Sequence, residues 1–418
     1  MAYLLIRNAT LIDGAGGQPL ADAAVLFEDN RIRAAGPADA VPLPDADTVE
    51  IDVQGGFILP GFIDVHVHLM GEGYDLEKEL ITPFSLNFYK AIGYMRRTVE
   101  AGVTSVRDAA GADLGVKQAV EQGLVLGPRM QISVTALSTT GGHGDGWLRS
   151  GVDITSPPYP GCPDGRCDGV EGVRKKVREV LRAGAEVIKV CTSGGVLSPT
   201  DHPDFTQFTP EELAVMVEEG AYRRGIKVMA HASGLQGIKN AVRAGIHSIE
   251  HGDNLDDETI ELMLERGTYL VPTLLATVGV LEDAETAATM PEWSKPKMRE
   301  VADIHRASMA RAYKAGVRIA LGTDAGVSPH GTNLRELGLM CGIGMSPMEA
   351  IVAGTKVAAG CLGWEDRVGT VEPGKLADVV VCKKDPLADI RALEDVDNIS
   401  IVIKDGQIVR DRRGTEGC

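Results

Sequence analysis

Hydrophobic and polar residues alternate in short runs at both ends of the chain. The first segment contains "YLLIRNATLIDG" and "AAVLFEDNRIRAAG", and the last contains "GTVEPGKLADVVVCKKDPL" followed by "ISIVIKDGQIVRD". Alternation with period two is typical of strands that bury one face, and Asp405-Gly406 is a hairpin signal. We therefore predict one small β-sandwich domain that is discontinuous in sequence and comprises residues 1–58 and 366–418.

The middle of the chain, residues 59–365, has a different pattern. Short apolar strand candidates alternate there with amphipathic helical stretches, and two of these helices begin with a capping box at Thr209 and Ser346. The strand candidates are "FIDVHV", "VTSVRD", "RMQISV", "AEVIKVC", "IKVMAH", "HSIEH", "TYLVPT" and "VRIALGT". This α/β order predicts a (β/α)8 TIM barrel. The competing doubly wound sheet lacks its Gly-rich dinucleotide turn here.

The first of these strands lies in "ILPGFIDVHVHLM" and carries Asp64, His66 and His68 at alternate positions. Side chains at alternate positions of a strand point to the same face, so the two imidazoles stand close enough to share a metal ion. The alternative is a pair of core histidines that are bonded to backbone groups.

Metal-competent side chains recur where the other strands end. Barrel enzymes build their active sites at the C-terminal ends of the strands, which favours a metal site over scattered core residues. Lys189 is informative because a lysine inside a barrel is costly unless it is paired or neutral. It forms either a salt bridge to Asp324 or Asp64, or a carbamate that can bridge two metal ions. The strand-end groups are His66, His68, Lys189, His231, His251 and Asp324.

The composition of the chain argues against some classes of binding partner. The chain has 418 residues, a formal charge of −17 and 44% hydrophobic residues. The acidic balance argues against nucleic acid and against an anionic membrane. No apolar run approaches the ~18 residues of a membrane span. The start lacks the features of a signal peptide, so we expect a cytoplasmic protein, although a leader removed before this numbering would be invisible. The odd cysteine count does not predict a disulfide scaffold.

Taken in order, "LPGFIDVHVH", the strand-end lysine, the two later histidines and "GTDAG" resemble the amidohydrolase superfamily. The resemblance covers essentially the whole chain and implies a binuclear metal hydrolase. It implies that His66, His68 and Asp324 bind the more buried metal, that His231 and His251 bind the second, and that carbamylated Lys189 bridges the two divalent ions. Zinc suits these donors. A hydroxide shared by the metals would attack the substrate carbonyl, with Asp324 as general base and acid. The resemblance also implies a homo-oligomer.

Three loop motifs, "TTGGHGD", "TSGGVLSP" and "TDAGVSPHGTN", are similar to those of prolidase-like members of that superfamily. Those members cleave dipeptides and N-acyl amino acids, and they include enzymes that hydrolyse the amide bond of ochratoxin A. By this resemblance His143 would contact the substrate carbonyl oxygen, and His330 is a second candidate for substrate contact. The alternative for His143 is a loop histidine in solvent.

The sequence departs from the prolidase-like pattern at one place that affects the expected substrate. Some relatives that cleave dipeptides carry tyrosines after the seventh strand, but no tyrosine lies between Pro272 and Leu281 here. We therefore expect a small-molecule amide with a bulky apolar or aromatic acyl group rather than a charged dipeptide. The alternatives are a cyclic amide hydrolase, imidazolonepropionase-like or dihydropyrimidinase-like, and a non-catalytic protein with this fold. His305 lies in a helical stretch and is interpreted as a surface residue.

Overall fold

The computed structural model describes residues 3–73, 75–155, 158–282 and 290–413 of the chain. Parts of the predicted terminal domain, residues 1–2 and 414–418, lie outside the described residues. In chain order, the strands are β1 (Tyr3–Leu11), β2 (Leu20–Glu28), β3 (Arg31–Pro37), β4 (Thr48–Asp52), β5 (Phe57–Pro60), β6 (Phe62–Val67), β7 (Val103–Asp108), β8 (Arg129–Ile132), β9 (Ala136–Leu137), β10 (Val187–Cys191), β11 (Lys227–Ala232), β12 (Ser248–His251), β13 (Tyr269–Val271), β14 (Val379–Cys382), β15 (Ile399–Lys404) and β16 (Gln407–Asp411).

Strands from both termini form one separate sheet. Its order is β16-β15-β14-β5-β1-β2-β3, with β4 also paired to β1. The sheet is mixed because β1 runs parallel to β4 and β5 but antiparallel to β2. Alternate residues such as Ile6, Phe27 and Val381 bury one face in a core of its own. The joining of the two termini is thus confirmed, and the hydrogen bonds make the predicted sandwich a single mixed sheet.

The hairpin predicted at Asp405-Gly406 is confirmed as the β15–β16 connection. Asp405 has φ 50° and Gly406 has φ 75°. Two successive residues with positive φ are what a tight hairpin with the right-handed strand twist requires, and Asp-Gly tolerates that backbone conformation well.

The middle of the chain forms two parallel sheets, β6-β7-β8 and β13-β12-β11-β10-β9. The third predicted strand, "RMQISV", forms β8 of the first sheet, and beyond Val134, which has φ 68°, the chain continues into β9 of the second sheet. The eighth predicted strand is not a regular strand. Instead, Ala320 N donates to Leu270 O at 3.0 Å, and Val65 N donates to Leu321 O at 2.9 Å. Residues 319–321 therefore lie between β13 and β6.

Helices follow most of the parallel strands. The capping boxes predicted at Thr209 and Ser346 are both present. The helix that begins after Ser346 widens into a π-helical turn at Ala353–Val357. The α-helices are α1 (Leu76–Ile81), α2 (Phe84–Glu100), α3 (Leu114–Glu121), α4 (Gly169–Arg182), α5 (Pro210–Tyr222), α6 (Leu235–Ala244), α7 (Asp257–Arg266), α8 (Leu274–Glu282), α9 (Ser294–Ala315), α10 (Arg335–Gly342), α11 (Pro347–Val352) and α12 (Ala358–Leu362).

A close junction connects the terminal sheet to the parallel strands. Strand β5 leads into β6 through Gly61, where an added Cβ would lie 2.2 Å from Thr104 Oγ1. Only glycine fits there, because a side chain would overlap the neighbouring strand. Arg129 in β8 donates to Asp378 Oδ2 at 2.5 Å and so ties the C-terminal segment to the parallel strands. No helix in the described part of the chain has the length and hydropathy needed to cross a bilayer.

Candidate metal centre

The predicted ligands meet at the C-terminal ends of the parallel strands. His66 lies in β6, Lys189 in β10, His251 at the end of β12, and Asp324 just beyond residues 319–321. Ligand atoms of His66, His251 and Asp324 lie within 4.8 Å of one another, and all three residues are buried or nearly so. Side chains from distant parts of the sequence thus converge on one point, as a metal site requires.

Asp324 is central to this cluster. Its Oδ1 lies 3.1 Å from His68 Nε2 and 3.4 Å from His66 Nε2. Neither approach has hydrogen-bond geometry, so Oδ1 is a buried oxygen without a hydrogen-bond partner. Burial alone would raise the pKa of Asp324, but the adjacent imidazoles hold it well below its usual range. A buried, ionised oxygen without a partner fits a carboxylate that binds a cation.

Lys189 is buried beside this cluster, with Nζ 3.5 Å from His66 Nε2. No carboxylate among the described residues forms an ion pair with it, so neither Asp324 nor Asp64 is its salt-bridge partner. Asp64 instead accepts from Thr323 and Asn333. Burial lowers the pKa of Lys189, which favours a neutral amine. A neutral amine is the form that reacts with carbon dioxide.

His231 and His251 form the other side of the cluster. Their ring centroids are 4.5 Å apart, and burial holds the pKa of each imidazole well below its usual range. His251 Nδ1 lies 2.7 Å from Thr273 Oγ1, whereas His231 Nε2 lies 3.1 Å from Gly194 O. Neutral imidazoles are the form that binds metal ions.

The backbone is unusual at two of these positions. His251 has φ 70° and Asp324 has φ 59°, values that L-residues rarely adopt. Before His251, strand β12 directs Ser248 and Glu250 to the same side, where Ser248 Oγ donates to Glu250 Oε1 at 2.5 Å. Strict alternation would place His251 on the opposite side. The positive φ redirects the chain, which allows His251 to reach His66.

Behind His66 lies a buried ion pair that the sequence analysis missed. Glu250 Oε2 is 2.8 Å from His66 Nδ1, and Arg107 Nη2 donates to Glu250 Oε1 at 2.9 Å. Burial alone would raise the pKa of Glu250, but Arg107 and His66 lower it to about 2. The carboxylate fixes His66 with its proton on Nδ1 and leaves Nε2 free toward the cluster. The available signal was an arginine inside the predicted strand "VTSVRD", which needs a buried acidic partner.

Replacing Glu250 with glutamine is expected to destabilise the protein by about 3 kcal/mol, because it leaves the Arg107 guanidinium buried without a counter-ion. The affinity for zinc should also fall about tenfold, since His66 loses the carboxylate that orients it. Urea unfolding of the metal-free protein and a zinc titration measure the two effects. Glu258→Gln, which removes an exposed pair with Lys239, should change neither. Equal stabilities of the Glu250 and Glu258 variants would contradict this role.

His143 lies beside the cluster and not in bulk solvent. Its ring stacks on His231 with centroids 4.1 Å apart, and its Nδ1 is 2.9 Å from Ser198 Oγ. Ser198 in turn donates to Asp201. The packing is close, because a Cβ added at Gly195 would lie 2.2 Å from the His143 ring. His143 lines the cavity described below, in a position where it can meet a substrate.

His330 is placed differently. Its Nε2 is 2.9 Å from Gly71 O, and its ring stacks on Tyr94. The neighbouring Pro329 lines the cavity, whereas His330 is not among the described lining residues. Its contact with substrate stays a prediction that this geometry does not favour.

The interpretation of His305 as a surface residue is wrong. It is 1% exposed, and its Nδ1 lies 3.2 Å from Thr277 Oγ1. Helix α9 turns that face toward the cavity wall, which the helical pattern alone did not reveal. Cys162 and Cys167 are both free thiols, so the loop between them is not closed by a disulfide.

The cluster opens into a cavity of about 1070 Å³ that is lined by His66, His143, Lys189, His231, His251 and Asp324 among others. One side of it, here called the apolar wall, consists of Val196, Leu197, Ala276, Met298 and Val327. These side chains pack on one another, and Ala276 and Met298 come from helices α8 and α9. The wall offers an apolar group of a ligand a surface that excludes water.

The chain is similar to known hydrolases over nearly its full length. A model of the amidohydrolase family matches residues 57–409. The chain is 36% identical to ochratoxinase from Aspergillus niger over 98% of its own length and 87% of the relative's. A Xaa-Pro dipeptidase structure with bound methionine in the active site has a TM-score of 0.88 at 34% identity, covering 97% of this chain and 99% of the other. A prolidase complexed with N-methylphosphonate-L-proline has a TM-score of 0.91 at 34% identity, covering 98% and 100%.

Proposed function

Because this chain belongs to the amidohydrolase family and is therefore a hydrolase acting on C–N bonds, we propose that it cleaves the exocyclic amide of an N-acyl amino acid or dipeptide-like substrate. The observation that carries the proposal is the buried cluster of His66, His251 and Asp324, which opens into a cavity with an apolar wall. The acyl group that best fits this wall is bulky and aromatic, as in the amide of ochratoxin A.

The architecture proposed for this activity is a (β/α)8 barrel over residues 59–365, with the terminal sheet, residues 1–58 and 366–418, as a separate domain. Its support is the backbone pairing of residues 319–321 with both β13 and β6, and the continuation of the chain from β8 of one parallel sheet into β9 of the other. A closed ring of strands holds the ligand-bearing ends at fixed separations.

The residues present fit two divalent metal ions, and zinc suits their imidazole and carboxylate donors. His66, His68 and Asp324 would hold one ion, His231 and His251 the other, and Lys189 would contribute to both as a carbamate. When bound, such ions polarise a carbonyl and lower the pKa of water.

The chain's own groups then position the substrate and move protons. Asp324 is ionised and buried, and it would take a proton from the attacking water and deliver it to the leaving nitrogen. His143 would stabilise the negative charge that develops on the carbonyl oxygen. The apolar wall excludes water from the acyl side of the scissile bond.

The test is a substrate panel. The purified protein, reconstituted with zinc and bicarbonate, is assayed for amino-acid release from N-aroyl amino acids, N-acetyl amino acids, charged dipeptides and ochratoxin A. Because the wall is apolar, we expect kcat/KM to be at least about tenfold higher for aryl or bulky acyl amides than for their acetyl counterparts.

Metal removal provides the control for the same panel. A chelator should abolish turnover, and added zinc should restore it. Cyclic amides such as dihydropyrimidines are included, because turnover of these alone would contradict the exocyclic assignment. Full activity of the metal-free protein would contradict the metal mechanism.

A further inference from the structure

One face of helix α2 also lines the cavity. Phe84, Asn87, Lys90 and Tyr94 all line the cavity, and their spacing places them along a single stripe of the helix. Lys90 is half-buried within this stripe, one turn from Tyr94. The stripe therefore holds a cation among largely aromatic and polar neighbours.

The ammonium group of Lys90 has no carboxylate partner among the described residues that line the cavity. The described lining carboxylates outside the metal cluster have partners within the protein. Glu72 pairs with Arg97, and Asp153 pairs with Arg166 at 2.7 Å. Asp75 accepts from the backbone N–H of Lys78, and Asp253 lies 3.6 Å from His305 Nδ1. No carboxylate of the described chain pairs with Lys90. In a protein of net charge −17, a half-buried ammonium group without a counter-ion is unusual.

The described residues on the other sides of the cavity offer no second half-buried cation of this kind. Lys78 also lines it but lies exposed on α1, and Lys189 belongs to the metal cluster. Of the described side chains of helix α8, Ala276 and Thr277 line the cavity, and neither is charged. Among the described lining residues, Lys90 is thus the half-buried cation that is available to an anionic substrate group.

We propose that Lys90 binds the carboxylate of the substrate and thereby selects N-acyl amino acids over neutral amides. This rests on the proposed function, because it names the group by which that substrate is held. An ammonium–carboxylate hydrogen bond in a partly desolvated cavity contributes more than a neutral one. The recognised carboxylate is the one on the amino-acid half, and matched substrates distinguish it from a carboxylate on the acyl half.

The experiment compares Lys90→Met with the wild type on an N-benzoyl amino acid and on its carboxamide. For the carboxylate substrate we expect kcat/KM to fall about ten- to one-hundredfold, mostly through KM. For the carboxamide we expect a change of less than about threefold. Lys90→Arg should retain much of the preference. Lys175→Met, which removes an exposed lysine on α4, should behave as the wild type.

A third substrate, a succinyl amino-acid amide, carries its carboxylate on the acyl half. Preferential loss on this compound alone would place the recognised carboxylate on the acyl half and would overturn the selection of N-acyl amino acids. An equal loss on the N-benzoyl amino acid and its carboxamide, or no loss on either, would likewise overturn the proposal.

A binding measurement tests the role of Lys90 independently of the proposed hydrolytic function. N-Benzyl amino acids have an amine in place of the amide and cannot be hydrolysed at that bond, so calorimetric titration measures their affinity without turnover. We expect Lys90→Met to weaken this binding about tenfold or more relative to the matching carboxamide. If the wild type hydrolyses nothing in the panel but this difference persists, the amidase assignment fails while the role of Lys90 stands. Equal affinities in the wild type and the variant overturn the role of Lys90 whatever the panel shows.

Discussion

Replacing Asp324 with asparagine is expected to lower kcat about a thousandfold or more. The change removes the negative charge that is proposed to bind a cation and the group that is proposed to accept a proton, while it preserves size and shape. Asparagine also tolerates the positive φ of this position, so the fold should persist. The measurements are steady-state kinetics and zinc content by mass spectrometry.

Asp257→Asn is the matched control, because Asp257 lies exposed in the first turn of α7, away from the cavity. It should leave kcat within about twofold of the wild type, as surface changes usually have small effects. If Asp324→Asn kept more than a tenth of the wild-type kcat with zinc bound, Asp324 could not be the proton carrier.

Replacing Lys189 with methionine should also abolish activity and lower the zinc content. Changing a group that only supports a metal ligand costs about 10–100-fold, so loss of the ligand proposed to be shared by both ions should cost more. Lys189→Arg should be equally inactive, because a guanidinium keeps the positive charge but cannot form the carbamate. The wild type prepared without bicarbonate should regain activity when bicarbonate and zinc are added.

The free energy of unfolding distinguishes a metal-binding role of Lys189 from a purely structural role. Lys189 has no carboxylate partner among the described residues, so methionine should leave the metal-free protein as stable as the wild type or more so. A loss of several kcal/mol in urea unfolding would show instead that the lysine is held by an ion pair, and retained activity of Lys189→Arg would exclude the carbamate.

Local sequence determined much of this protein. Residues that are close in sequence were enough to predict several features: the alternation in "IDVHVH", the capping boxes at Thr209 and Ser346, and the Asp405-Gly406 hairpin. Strand-end side chains such as Lys189 and His231 were readable as well, because a period of two and a known strand end fix where a side chain points. The family followed from the order of these motifs.

Other features depend on tertiary contacts and could not be predicted from the periodicity of the sequence. The buried pair of Arg107 and Glu250 joins strands 143 residues apart. His305 is buried because α9 packs against the cavity, and Lys90 lines that cavity because α2 lies beside it. His251 reaches the cluster through a positive φ that breaks the alternation of its strand. Such features depend on which elements meet in space, and a strained backbone is held only by contacts that the whole fold supplies.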